Sequence, residues 1–447
     1  METKPYSQYK DSKIKWIGKL PYPWKEHKLI YSLKKITDGS HSSVPFIENG
    51  YPFVTVKNID KYTETINFQE CKKISKENYN ILVRNGCKPN KGDILFSQIG
   101  TIGLTIIVKE DIDFVILSSL AILKPQNNID KKYLKYFLQS NLIKNLCNYF
   151  MAGGAVKRIT LNHISNFIFF EPPLEEQEHI AKYLDTKTTK IEQTITKNKQ
   201  LITLLKEKRT TLINQTVTKG LNPDTPMKES GIEWIGKIPE HWSSKRLRFL
   251  GLCQNGISKS SEFFGKGYPF ISYKNIYDNM IVKNPKNDKI ISSKAEQSNY
   301  SVKKGDVFFT RTSETIEELG FASTCLNTIP QSTFAGFLIR FRPFNSAKII
   351  PEFSKYYFRR EDIRKFFIKE SDLVTRASLS QDVLKNLICL LPPIKEQTEI
   401  VDYLDKQTYK IDKTIEKVEK NIELLEEYKE SLIHHVVTGK IDVRGVE

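Results

Sequence analysis

Two stretches of the chain carry their apolar residues at a seven-residue interval. In the first, Ala181, Thr188, Ile195, Ile202, Arg209 and Thr216 share one heptad position, and Leu184, Ile191, Asn198, Leu205 and Leu212 share the position three residues later. In the second, Val401, Thr408, Ile415, Ile422, Lys429 and Val436 repeat the first series, and Leu404, Ile411, Val418, Leu425 and Leu432 the second. Such a register predicts helices that pair through a coiled-coil seam. Pro172-Pro173 and Pro392-Pro393 precede the two stretches, and proline suits a first helical turn but not a helix interior. No further proline or glycine occurs until Gly220 and Gly439. The pattern therefore predicts two unbroken helices of about 45 residues, each about 67 Å long. Thr188 matches Thr408 and Arg209 matches Lys429, so the polar breaks in the seam also repeat, and a polar residue there can fix register at some cost in stability.

The rest of the chain alternates differently. Residues 20–171 and 245–391 hold short β-rich runs, among them Phe53 to Val56, Ile94 to Phe96, Thr105 to Val108 and Phe337 to Phe341, punctuated by Gly, Asn and Pro. Apolar residues from Lys131 to Tyr149 recur at helical spacing and predict one helix there.

These parts are duplicated. Residues 10–29 align without a gap on residues 228–247, setting Trp16 against Trp234 and Trp24 against Trp242. Tyr51-Pro-Phe-Val-Thr-Val-Lys-Asn-Ile answers Tyr268-Pro-Phe-Ile-Ser-Tyr-Lys-Asn-Ile, and Lys91-Gly-Asp answers Lys304-Gly-Asp. Residues 172–219 align on residues 392–439 with 22 of 48 positions identical. A duplicated unit tends to pack as a homodimer would, about a pseudo-two-fold axis, which makes the helices antiparallel. The predicted fold is mixed α/β or α+β, with two similar domains separated by two long antiparallel coiled-coil helices. The segments expected are 1–171, 172–220, 221–391 and 392–447.

Charge narrows the function. The chain has 69 Lys and Arg against 52 Asp and Glu, a formal charge of +17 over 447 residues. Residues 174–219 carry a net +3 and residues 394–439 a net −4, which favours pairing of the two helices with each other. The basic excess therefore sits on the globular parts, where a polyanion such as double-stranded DNA would dock. No apolar run approaches the ~18 residues of a membrane span. The polar, lysine-rich start lacks the apolar core of a secretory signal, so a cytoplasmic, non-membrane location is expected. Six cysteines without Cys-x-x-Cys spacing read as reduced core thiols.

The motifs of catalysis are not found. There is no Gly-x-x-x-x-Gly-Lys-Ser/Thr loop, no Gly-x-Gly-x-x-Gly and no His-Glu-x-x-His. Glu171-Pro-Pro-Leu174 and Leu391-Pro-Pro-Ile394 lack the amide and the aromatic of an adenine-methylating segment. His434-His435 reads as a helix-end pair, and Asp93 and Asp306 as turn caps. Neither catalytic nor metal-ligating residues are assigned.

Taken together, the motifs resemble the specificity subunit of type I restriction-modification systems. The resemblance rests on Trp-Ile-Gly-Lys-Leu/Ile-Pro-x-x-Trp from Trp16 and Trp234, Lys-Gly-Asp from Lys91 and Lys304, Pro-Pro-x-x-Glu-Gln-x-x-Ile from Pro172 and Pro392, and the ending Val437-Thr-Gly-Lys-Ile-Asp-Val-Arg444. It spans essentially the whole chain. It implies two target-recognition domains alternating with helical spacers, and no catalysis in this subunit. It also implies partners: two modification (adenine methyltransferase) subunits and, through them, restriction (translocase and nuclease) subunits. This chain would bind no cofactor, with S-adenosylmethionine, ATP and Mg on the partner subunits.

A bipartite, asymmetric DNA site is then expected, its halves set about one helical turn, ~34 to 36 Å, apart. The candidate DNA-binding residues are long polar side chains in loops: Lys57, Asn58, Gln98, Thr101, Lys157 and Arg158 in the first domain, and Lys274, Asn275, Arg311, Thr312 and Arg376 in the second. Arginine can pair with guanine, and Asn or Gln with adenine, in the major groove. The alternative is a coiled-coil scaffold that joins protein partners without reading DNA.

Overall fold

The computed structural model describes residues 5–13, 17–60, 63–151, 157–232, 234–313, 318–370 and 377–445. Trp16 and Arg376 lie outside them. The chain forms two compact units, Met1–Lys199 with Glu419–Glu447, and Gln200–Val418. Each helix is thus shared between units.

In the first unit four antiparallel strands run in the order Leu33–Asp38, Leu120–Pro125, Ile94–Ser97, Thr105–Ile107. The side chains of these strands alternate between two cores. Ile94, Phe96, Ala121 and Leu123 face a cluster shared with the helices, while Leu95, Ile106, Leu120 and Ile122 face a second cluster around Val54 and Phe114. Both faces are covered, which is why these runs read as continuously apolar rather than alternating. A smaller sheet has Tyr51–Val54 between Val115–Ile116, parallel, and Lys72–Ile74, antiparallel.

The second unit repeats both sheets. Its four strands are Gly251–Asn255, Leu338–Pro343, Val307–Thr310 and Ala322–Thr324, in that order, and Phe264–Ile271 lies between Lys289–Ile290 and Thr333–Phe334. The Lys-Gly-Asp motif makes the same turn in each unit. Gly92 and Gly305 take φ of 89° and 92°, a conformation that favours glycine. Asp93 Oδ2 accepts the Asn90 amide at 2.7 Å and Asp306 Oδ2 the Lys303 amide at 2.7 Å.

The helix expected from Lys131 to Tyr149 is two helices, Lys131–Gln139 and Asn141–Met151. Ser140 breaks it: its backbone is extended at φ −67° and ψ 156°, and its Oγ donates to the Phe137 carbonyl at 2.6 Å. A serine hydroxyl competing for a helical carbonyl leaves the apolar spacing intact, so periodicity alone could not find the break.

The long helices span Leu174–Lys219, 46 residues, and Ile394–Val437, 44 residues. They run antiparallel within each unit. In the first, Trp24 bonds Glu176 and lies beside Gly439, while Glu192 pairs with Lys429. In the second, Gly220 lies beside Glu396 while Arg209 pairs with Asp412. Among the large apolar residues of the seam, Leu184, Ile191, Ile195, Leu404, Ile411, Ile415 and Leu432 are buried. Ile202, Leu205, Leu212, Ile422 and Leu425 are half-buried.

Thr188 and Thr408 have a different job from fixing register across the seam. Their hydroxyls meet Tyr136 and Tyr356 of the globular parts at 3.1 and 3.2 Å. Those tyrosines also donate to Asp185 and Asp405 at 2.6 and 2.5 Å, which ties each globular part to its own long helix.

Candidate nucleic-acid interface

The Glu-Gln pair that opens each long helix holds the globular part in place. Glu176 Oε1 accepts from Trp24 Nε1 at 2.9 Å and from Tyr6 Oη at 2.7 Å. Burial, followed by the bond to Glu176, pushes the Tyr6 phenol well above its ordinary range, so it stays a donor. Glu396 Oε2 accepts from Trp242 Nε1 at 2.9 Å and pairs with His241 Nε2 at 2.8 Å. Gln177 and Gln397 are fully buried staples. Each accepts one backbone amide, from Asp130 or Ile350, and donates to Pro172 or Pro392 at 2.9 Å.

On this frame the first unit brings together three of the loops expected to read DNA. Gln98 closes the strand Ile94–Ser97, and its carbonyl accepts the Ile159 amide at 3.0 Å, which places Lys157 and Arg158 beside it. The turn through Gly100 packs against Val56, next to Lys57 and Asn58, and Ser97 Oγ donates to the Thr101 carbonyl within that turn. The second unit builds the same junction. The Arg311 carbonyl accepts the Leu379 amide at 2.7 Å, and Thr312 pairs with Ser378. The Glu318 carbonyl accepts from Thr310 Oγ1 and from Tyr273 Oη, bringing the helix with Lys274 and Asn275 alongside.

The candidates differ in what they offer. Lys57, Thr101, Lys157 and Lys274 are exposed, and Arg158, Arg311 and Thr312 are half-buried. Arg311 Nη1 makes one long contact, 3.4 Å to the Gly336 carbonyl.

Asn58 and Asn275 are capping residues. Their Oδ1 atoms accept from the backbone and hydroxyl of Thr55, both at 2.9 Å, and of Ser272, at 2.8 and 2.9 Å. Asn58 Nδ2 also donates to Glu70 O. Thr-x-x-Asn and Ser-x-x-Asn at matching positions were the available signal for a local cap.

Gln98 is fully buried, and neither atom of its amide has a partner among the described residues. The expectation of a surface reader fails for it in this conformation, because the strand end it occupies faces the core junction.

Other groups that could carry chemistry are quiet. Burial pushes the thiols of Cys147, Cys253 and Cys325 up to about 12, which keeps them protonated. Among the described residues no three His, Cys, Asp or Glu are grouped to hold a metal, and no helix is long and apolar enough to cross a membrane.

The family model for the type I restriction modification DNA specificity domain matches residues 45–203 and 239–426. The chain belongs to that family. Its two matched stretches each hold one copy of the junction just described. The chain is 27% identical to the type I restriction enzyme MjaX specificity subunit of Methanocaldococcus jannaschii, over 98% of both chains. It is 25% identical to the EcoKI specificity subunit of Escherichia coli over 63% of this chain, and the alignment spans 59% of that relative's length. In fold it is similar to a chain solved in a type I restriction-modification system, with TM-score 0.70 and 16% identity over 94% of this chain and 98% of that one. The HsdS subunit of Thermoanaerobacter tengcongensis follows with TM-score 0.52 at the same identity and coverage. Specificity subunits are the non-catalytic, DNA-recognising members of type I complexes, and the chain is read as one.

Proposed function

We propose that this specificity subunit reads one asymmetric, two-part DNA site, each compact unit taking one half. The observation that carries the reading is the duplicated three-loop junction with unlike residues at equivalent places. Gln98 and Arg311 follow equivalent strands of the two units and their carbonyls accept equivalent backbone amides, yet one is a buried amide and the other a half-buried guanidinium. One frame with different side chains suits two different base words. Arg311 is the leading base reader, suited to guanine, with Arg158 and Thr312 beside the bases. Lys57, Lys157 and Lys274 are the phosphate contacts, which position without specifying. Arg376 is assigned to the second unit's set on sequence grounds. The excess of cations on the globular parts favours DNA over a protein-only scaffold.

The subunit works in the cytoplasm with two modification subunits and, through them, restriction subunits. S-adenosylmethionine, ATP and Mg belong to those partners. Adenine-methylation mapping of the host genome, with and without this gene, tests the reading. One asymmetric motif, interrupted by an unread spacer, should lose its methylation when the gene is removed. An unchanged methylation pattern, or loss at a single continuous motif, would refute it.

A further inference from the structure

One tight turn of the second unit leaves a large apolar ring in water. Residues 335–338 join the strand Thr333–Phe334 to the strand Leu338–Pro343, and the Leu338 amide donates to the Ala335 carbonyl at 3.0 Å. Phe334, Ala335 and Leu338 are buried, whereas Phe337 is 60% exposed. A single exposed ring on an ordinary surface needs no explanation. This one stands at the junction where the loops meet. The Phe337 carbonyl accepts the Arg311 amide at 2.9 Å, and Arg311 Nη1 lies 3.4 Å from the Gly336 carbonyl. The guanidinium assigned to read a base is therefore held against the peptide that precedes the ring.

The first unit makes the same turn with a different residue in it. The Leu120 amide donates to the Leu117 carbonyl at 2.9 Å, and the Ser119 carbonyl accepts the Gln98 amide at 2.8 Å, as that of Phe337 accepts Arg311. Both turns are anchored alike, Leu117 bridging to Ser40 and Ala335 to Ile257. Ser119 is 7% exposed. A small buried residue closes this frame, so the turn does not require the ring. Two adjoining places thus differ together between the units: a buried amide and a buried hydroxyl in the first, a half-buried guanidinium and an exposed phenyl in the second.

A phenyl ring offers a base edge neither donor nor acceptor. In the major groove the apolar group that it can recognise is the C5-methyl of thymine. A ring wedged between base steps would enter from the minor groove, the opposite side from a guanidinium on guanine O6 and N7. Base pairs stack ~3.4 Å apart, so a side chain one residue from the carbonyl that meets the guanidinium reaches the neighbouring pair. We propose that Phe337 is a specificity-determining residue of the second unit, its ring covering the methyl of a thymine next to the base read by Arg311. This rests on the reading of a two-part DNA site.

The site is mapped by adenine methylation for the wild type, for F337S, which copies the first unit, and for F337L, which stays apolar. F337S is expected to lose its preference at one A·T pair of one half-site word, with the other word and the spacer unchanged. The unchanged word shows that the chain has folded and assembled. F337L is expected to keep the preference. Affinity of the assembled complex is then measured on the mapped duplex with each thymine in turn replaced by uracil, which removes only the methyl. The wild type should lose about fourfold at one thymine, the worth of one buried methyl group, and F337S nothing there. The uracil series needs binding only, so it decides the matter even if F337S methylates nothing. A wild type without an interrupted two-part site would defeat the underlying reading. With that site present, both words unchanged in F337S, or a wild type indifferent to uracil at every thymine, would overturn the contact. A ring that instead docks a modification subunit would weaken assembly in F337S and leave the wild type indifferent to uracil.

Discussion

Arg209 Nε donates to Asp412 Oδ1 at 2.9 Å, and the residues 220 positions away from each, Lys429 and Glu192, make the same pair in the other unit. One interhelical ion pair therefore occurs twice, and both copies obey a single antiparallel register. Its role is alignment, since an exposed pair contributes only about 0.2 to 1 kcal/mol. A double-mutant cycle on R209E and D412R should give a coupling of that size, with the reversed pair recovering most of the loss. Replacing Ile195 or Ile415 in the seam by Asp should cost far more. Truncation of such a side chain alone costs about 2 to 5 kcal/mol, before the charge is considered. Comparable losses for R209E and I195D by chemical denaturation would contradict this division of labour.

The two helix starts should respond unequally to the same change. E176A leaves Trp24 Nε1 and Tyr6 Oη buried without their acceptor, at about 1 to 3 kcal/mol for each orphaned group. E396A orphans Trp242 Nε1, but its other partner, His241, is exposed and can turn to water. The loss of stability should be larger in E176A than in E396A, and equal losses would show that the tyrosine bond contributes nothing.

His434 makes the second helix end sensitive to acid. Burial, with Lys440 and His435 adding to it, holds its imidazole down at about 4, so the folded chain keeps it neutral while the unfolded chain protonates it near 6.5. The unfolded state then binds more protons between those values, and this contribution to stability is lost as pH falls from about 6.5 towards 4. The matching position in the first helix is Asn214. H434N should therefore lose less stability than the wild type over that interval, and parallel stability curves would contradict the assignment.

Much of the architecture was legible because it is periodic or repeated. The heptads located both helices, and the repeat paired Trp24 with Trp242 at an offset of 218 residues and Glu176 with Glu396 at an offset of 220. What periodicity does not encode was missed. Ser140 interrupts a helix without disturbing its apolar spacing. Gln98 looked like a surface amide because nothing in its neighbours signals that the strand end is buried. Asn58 and Asn275 carry the side chain of a base reader and do the work of a cap.

The central claim is that two units read two words at a distance set by the helices between them. Deleting residues 195–201 together with residues 415–421 removes one heptad from each helix, keeps the seam in phase and shortens each by ~10.5 Å. That length is about 3 base pairs at ~3.4 Å per pair. Genome-wide mapping of methylated adenines in cells carrying the shortened chain should find both half-site words unchanged but joined by a shorter spacer, or no methylation where the altered rotation prevents simultaneous contact. The original motif, methylated at its original spacing and full occupancy, would mean that the helices do not set the distance.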